Sequence, residues 1–236
     1  MKTLHTNTII TLNKCKIINK KVVILLKITW FGQSCFLIET DNNIKILLDP
    51  FDDSIGYTPF KGEADIVTVS HHHFDHDYTD CVTNSPAIID KPGTYEIKNI
   101  KIKGLPSFHD NVKGAARGKN TIFLFDIDGT RICHLGDIGY ILSSSEIESL
   151  GNIDILMIPV GGNFTIDGKE AAILCKKINS SIILPMHYKT TFTILPLEGA
   201  EKFIIEMQNA ERLPSNVFTV DNNFDKKNKV KMLSLK

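Results

Sequence analysis

From Val22 onward the chain alternates short apolar, β-branched runs with polar turns, the pattern of a sheet-rich domain. Strands are predicted over residues 22–31, 34–39 and 44–48, with Asp41-Asn42-Asn43 as the turn between the last two, so one sheet opens as a meander. Residues 64–69 form a further buried strand bounded by polar residues, and short β segments are expected over 87–89, 94–97 and 100–104. Residues 121–127 and 131–134 pair around Asp128-Gly129, a strong hairpin signal. Helical patterning enters only in the second half. Ser143-x-x-Glu146 is a capping box opening a short helix to Leu150, and Asp167-x-x-Glu170 opens another with Ala171, Ile173, Leu174 and Ile178 on one side. Residues 197–209 predict an amphipathic third helix, with strands at 155–160, 182–184, 217–220 and 230–235. Residues 1–21, rich in Lys, Asn and Thr, predict a loose arm, which leaves 22–236 as the one domain.

Chemistry-bearing residues recur where strands end. The strand over 64–69 runs into Ser70-His71-His72-His73-Phe74-Asp75-His76-Asp77. In near-extended backbone His71 and His73 share a face and His72 points away, so His72 reads as solvent-facing or as a support residue. A turn at Asp75-His76 would let these two address a second point nearby, a spacing that suits two metal ions rather than one. His109, Asp137 and His187 each follow a strand, and Asp49 ends another. Asp49 is either a plain turn residue or an acid holding a metal-bound imidazole by its second nitrogen. Arg117, Lys119 and Lys189 flank these loops and are candidates to grip a phosphate or carboxylate. His134, inside a strand, reads as a packed histidine rather than a ligand.

Composition narrows the setting. The 236 residues carry 42% hydrophobic side chains, enough for a real core, and 27 basic against 27 acidic residues give a formal net charge of +0. No overall field draws such a chain to long nucleic acid or to anionic lipid. Cys15, Cys35, Cys81, Cys133 and Cys175 are scattered and odd in number, which fits reduced thiols in a cytoplasmic protein. The apolar run beginning at Val22 is broken by Lys27, too short for a membrane span.

The order of these motifs resembles the metallo-β-lactamase superfamily: the Asp49 strand end, His71-x-His73-x-Asp75-His76, His109, Gly136-Asp137 and His187. Residues 28–36, Arg117-Gly118-Lys119-Asn120-Thr121 and Ile158-Pro159-Val160-Gly161-Gly162 are similar to a compact branch of metal-dependent hydrolases related to L-ascorbate-6-phosphate lactonase. The resemblance implies an α/β fold, a four-layer αββα sandwich with helices outside, and a binuclear site. By that resemblance His71, His73 and His109 hold one metal, Asp75, His76 and His187 the other, Asp137 bridges, and Asp49 supports without ligating. It implies a metal-dependent hydrolase in which a hydroxide shared by two divalent ions, zinc first and manganese or iron open, cleaves a small ester, lactone or phosphoester, with Asp75 and Asp137 catalytic. Asp137, where true β-lactamases of this fold carry cysteine, argues against antibiotic hydrolysis; His73 argues against a flavodiiron-type centre. The alternatives are a small phosphodiesterase or nuclease of the same fold and a non-catalytic metal-binding sensor. The expected partner is a small, anionic molecule, with no membrane or long nucleic acid and homo-oligomerisation open. Residues 1–26 fall outside the resemblance, as an upstream misreading of the start would produce.

Overall fold

The computed structural model describes residues 26–220 and 228–235. The expected arm over 1–21, and the first residues of the strand expected from Val22, lie outside the described residues. The chain lays down β1 (Leu26–Gly32), β2 (Cys35–Glu39), β3 (Lys45–Leu48), β4 (Ile66–Thr68) and β5 (Ala87–Ile89), then β6 (Gly93–Ile97), β7 (Ile100–Phe108), β8 (Lys119–Ile127) and β9 (Thr130–His134). After these come α1 (Ser144–Leu150), β10 (Ile155–Pro159), α2 (Gly168–Ile178), β11 (Ile182–Met186) and α3 (Glu201–Met207). Strands β12 (Ala210–Arg212), β13 (Val217–Val220) and β14 (Lys229–Met232) close the fold.

Two mixed sheets result. One has six strands in the order β13-β1-β2-β3-β4-β5, the other eight in the order β12-β14-β11-β10-β9-β8-β7-β6. Alternation along the first sheet divides its side chains between two faces. Ile28, Trp30, Phe36, Ile38, Ile46 and Leu48 join Phe123, Phe125, Ile132 and Ile155 of the second sheet in the main core. Cys35, Leu37, Leu47 and Val67 point the other way, into a smaller cluster with Phe51, Ile55, Tyr57 and Phe60. That outer face is covered by the loop after β3, with two single 3-10 turns at Asp53–Ile55 and Thr79–Cys81, and no described α-helix contributes to the cluster. On the second sheet α2 packs against β10 and α3. The α/β sandwich is the architecture expected.

Details differ from the pattern reading for local reasons. Strand β7 runs on to Phe108 and β8 begins at Lys119, because Pro106 and Ser107 still pair with Thr121 and Asn120 across the ladder. Ile173 is 45% exposed. The buried stripe of α2 is Ala171, Ala172, Leu174, Cys175 and Ile178 instead, because Ala172 and Cys175 complete the i, i+3 rows. Both predicted capping boxes form, at Ser143 and Asp167. The third helix is shorter than expected and leads into β12, a three-residue strand without a pattern of its own. The described cysteines Cys35, Cys81, Cys133 and Cys175 are buried and free. Among the described residues no helix is long and apolar enough to cross a membrane.

Candidate metal centre

Strands β3, β4, β7, β9 and β11 all finish at one edge of the sandwich, and the residues that follow them meet there: Asp49, the segment 71–76, His109, Asp137 and His187. Tight backbone makes the meeting possible. Asp49 and His187 adopt left-handed conformations, with φ of 44° and 51°, each turning the chain at once after its strand. Gly136 (φ 56°) lets β9 turn beneath the site, where a Cβ would collide with Asn120 Oδ1. Such departures cluster where a site over-determines the backbone.

Asp137 is the centre of the arrangement. Its Oδ2 lies 3.0 Å from His187 Nε2, 3.3 Å from both His76 Nε2 and His109 Nε2, and 4.0 Å from His71 Nε2. Its backbone N–H donates to Asn120 Oδ1 (3.0 Å), and Ser34 Oγ reaches its second oxygen at 3.4 Å. Donor atoms of His71, His73 and His109 lie within 4.8 Å of one another, as do those of Asp75, His76 and His187. His71 Nε2 and His73 Nδ1 are 3.0 Å apart, whereas His72 is turned outward toward Asp77 and Asp90. Asp49, His71 and His76 are a third such group, but the oxygens of Asp49 are already engaged.

The Asp49 carboxylate, fully buried, ties two imidazoles to one support. Its Oδ1 accepts from the Ser70 backbone N–H (2.8 Å), and its Oδ2 accepts from Ser70 Oγ (2.6 Å) and from His76 Nδ1 (2.9 Å). Since the Ser70 hydroxyl gives its proton to Asp49, its oxygen is left to accept from His71 Nδ1, 2.9 Å away. Both histidines are thereby set in the tautomer that carries hydrogen on Nδ1, with Nε2 directed at Asp137. Asp75 is fixed in the same manner by Gln33 Nε2 at 2.8 Å. His134 does not enter the centre: its Nε2 meets the Ser34 carbonyl (2.9 Å) and its Nδ1 accepts from the Gly136 N–H (3.3 Å), so it braces two segments beside Asp137.

Electrostatics point to a cation at this spot. Burial pushes the Asp137 carboxyl upward, yet His187 and His76 outweigh it and hold it well below the ordinary range. Burial disfavours the His76 cation, but Asp137 and Asp75 outweigh that and raise it well above the usual imidazole value. His71 is lowered to about 3 by burial and by the neighbouring His76. Of the buried ring nitrogens without a hydrogen bond, His76 Nε2 faces the centre, while His109 Nδ1 and His187 Nδ1 lie on the ring edges opposite the Nε2 atoms that face Asp137. Crowded imidazole and carboxylate donors with unspent lone pairs fit a divalent metal, and an all-nitrogen-and-oxygen set suits zinc, manganese or iron.

A cavity of about 380 Å³ opens onto the centre, lined by His73, Asp75, His109, Asp137 and His187, with Phe74, Phe164, Leu195 and Arg117 at its walls. Arg117 donates to the Asn163 carbonyl (3.0 Å) and lies 4.8 Å above the Phe164 ring. Lys119 lines an adjoining cavity instead. Lys189, expected at the site, is turned away from it: its ammonium donates to the backbone carbonyls of Thr193 (2.7 Å) and Leu195 (3.1 Å), and the long stem folds back to hold its own loop. Sequence reading passed over the supports. Gln33, Ser34, Ser70 and Asn120 are single polar residues in otherwise ordinary contexts, although Ser70, directly before the histidines, was a usable signal. Asp110 was also missed; its carboxylate accepts the backbone N–H groups of Val112, Gly114, Ala116 and Arg117, so it shapes the loop that carries Arg117.

Comparison with known proteins agrees with this geometry. A model of the β-lactamase superfamily domain matches residues 27–187. A protein of Thermoplasma volcanium named as a metal-dependent hydrolase is 32% identical over 192 residues, covering 70% of this chain and 84% of its own. A Methanosarcina barkeri protein of the same description is 31% identical over 206 residues, 75% and 88% of the two chains. A crystal structure from Thermotoga maritima, described as a candidate zinc-dependent hydrolase of the metallo-β-lactamase superfamily, is 37% identical with a TM-score of 0.74, spanning 88% of this chain and 98% of that one. The chain thus belongs to the β-lactamase superfamily and is one of its metal-dependent hydrolases.

Proposed function

We propose that the protein hydrolyses a small anionic ester, lactone or phosphoester with two divalent ions, zinc first. The observation that carries this reading is the approach of four imidazoles to a single oxygen, Asp137 Oδ2, at 3.0 to 4.0 Å. His71, His73 and His109 would hold one ion, Asp75, His76 and His187 the other, and Asp137 would serve both. Zinc takes support from the description of the Thermotoga maritima relative. Such ions, when bound, supply a water acidified from near 16 to roughly 7 and polarise the substrate oxygen under attack.

The remaining work belongs to the chain itself. Asp49 and Ser70 keep His71 and His76 in the ligating tautomer, so no reorganisation is needed when metal arrives. Asp75 lines the cavity and binds Gln33 through Oδ2 alone, leaving Oδ1 to take the proton of the attacking water and return it to the leaving group. Arg117 stands at the wall with its guanidinium steadied by Asn163 and Phe164, placed to orient a negatively charged substrate. Phe74 and Leu195 give the cavity an apolar side. The buried free thiols fit a reducing compartment, and the cytoplasm is the location we assign.

The test is a panel of esters, lactones and phosphodiesters assayed with metal-loaded protein, before and after chelation and after metal is restored. Turnover of at least one class, lost on chelation and regained with zinc or manganese, is the expected result. A loaded protein that turns over nothing, or turnover indifferent to chelation, would sink the proposal.

A further inference from the structure

Beside the metal cavity lies a larger one of about 660 Å³, which shares His72, His73 and Arg117 with it. The two are therefore contiguous chambers: His71 and His73 reach the larger, while Asp75, His109, Asp137 and His187 line only the smaller. The second chamber is walled by the crossover from β5 to β6, which carries the chain from one sheet to the other, and by the start of β8.

Its charge is unbalanced. Lys91, Lys119 and Arg117 line it against one carboxylate, Asp90, whose Oδ2 is 3.5 Å from His72 Nε2. Arg117 gives a hydrogen bond to a carbonyl, which leaves its charge uncancelled. The exposed ammonium groups of Lys91 and Lys119 have no carboxylate or hydrogen-bond partner among the described residues. Lys27, Lys98, Lys202 and Lys231 pair with Glu39, Asp65, Glu198 and Glu211, whereas Lys91 and Lys119 are among the lysines that no carboxylate of the described residues faces.

The bases of these cations are also held. The Lys91 carbonyl accepts from Tyr95 Oη (3.0 Å), and its loop lies so close over β7 that a Cβ on Gly104 would come 3.0 Å from the same oxygen. The Arg117 N–H donates to Asp110 at 2.7 Å. Rigid backbone carrying unpaired cations around a concave, low-dielectric wall focuses a positive field on the chamber. Pro92, Pro106 and Phe108 give it an apolar lining between the charges.

We propose that this second chamber is a recognition site for an oxyanion of the substrate remote from the bond that is cleaved, a phosphate monoester for preference, gripped by Lys91, Lys119 and Arg117. Three cations against one engaged carboxylate match a dianion better than a monoanion. The inference rests on the hydrolase reading only for the position of the scissile bond; the chamber and its charge stand without it.

Phenyl phosphate and benzoate are the probes, titrated calorimetrically at low salt into metal-loaded wild type, metal-loaded Lys91→Met/Lys119→Met, and chelator-stripped wild type. Both lysines are exposed, so the double variant should unfold at the wild-type temperature. Phenyl phosphate is expected to bind the double variant at least tenfold more weakly, and the stripped protein within about threefold of the loaded one. Tighter binding of phenyl phosphate than of benzoate supports a phosphate; the reverse order with the same lysine dependence supports a carboxylate in the same place. Equal affinity of wild type and double variant, or no binding to wild type, would overturn the proposal. If the hydrolase panel fails while lysine-dependent binding persists, the metal chemistry is wrong and the anion chamber is not.

Discussion

The two ends of the same strands treat charge in opposite ways. At the starting end acids and bases are matched: Asp65, just before β4, takes Lys98 and the Lys45 N–H (2.8 Å). Asp154, before β10, takes the Arg131 N–H (2.9 Å), while the Arg131 guanidinium donates to the last carbonyl of α1 at Leu150 (2.8 Å). At the finishing end four imidazoles crowd one carboxylate oxygen, and buried ring nitrogens go without partners. Leaving a buried polar atom unpaired costs on the order of 1–3 kcal/mol. Folding accounts for the first end and is opposed by the second. Among these nitrogens, His76 Nε2 is unpaired and faces Asp137 Oδ2, where a ligand would supply the missing partner.

The contrast breaks most sharply on removal of metal. Exhaustive chelation should abolish turnover, a loss on the order of 10³-fold for the several kcal/mol that metal contributes to a transition state. It should also lower the thermal midpoint, because an ion bound only by the folded state stabilises by mass action; an unchanged midpoint would count against a bound ion. Asp49→Ala comes next. Freed from Asp49, His76 and Ser70 lose their orientation, and metal affinity or activity should drop about 10- to 100-fold, measured by competitive metal titration. Gly136→Ala should cost stability first and also disturb the centre, since Asn120 holds the Asp137 N–H and Ser70 orients His71. Its Cβ meets Asn120 Oδ1 and Ser70 in a left-handed conformation, and urea unfolding should show a loss of about 1–3 kcal/mol.

The smallest effect belongs to the matched end. Asp65→Asn removes a half-exposed pair and should cost under about 1 kcal/mol with no change in turnover. Modest burial raises the Asp65 carboxyl, but Lys98 and the Lys45 N–H outweigh it, so the folded state holds it below its ordinary value. A depressed carboxyl contributes stability above its unfolded pKa of about 3.9 and loses it as pH falls through the lower folded value. The gap between wild type and Asp65→Asn should therefore be full near neutrality and narrow below about pH 4, and a gap that widens in acid would contradict the pairing.

How much the sequence disclosed follows the same division. The strand ends that meet at the centre were legible as candidates because strand runs are periodic and His71, His109, Asp137 and His187 each follow one, while their grouping as ligands came only with the family resemblance. The supports were not. Gln33 reaches Asp75 across 42 residues and Ser34 reaches Asp137 across 103, contacts set by how two sheets close on one another and not by any local pattern. Lys189 misled because a four-carbon stem can turn either way, and two free loop carbonyls decided it. The loop cover of the six-stranded sheet was equally hidden, since Phe51, Ile55, Tyr57 and Phe60 follow neither a helical nor a strand period.

The most direct test is elemental analysis of protein purified without chelator, wild type beside Asp137→Ala. The account predicts about two zinc or manganese ions per wild-type chain and a sharp fall in the variant, since one carboxylate serves both triads. Wild-type protein that carries no metal and takes none up on titration, or a variant that keeps its full complement, would contradict it.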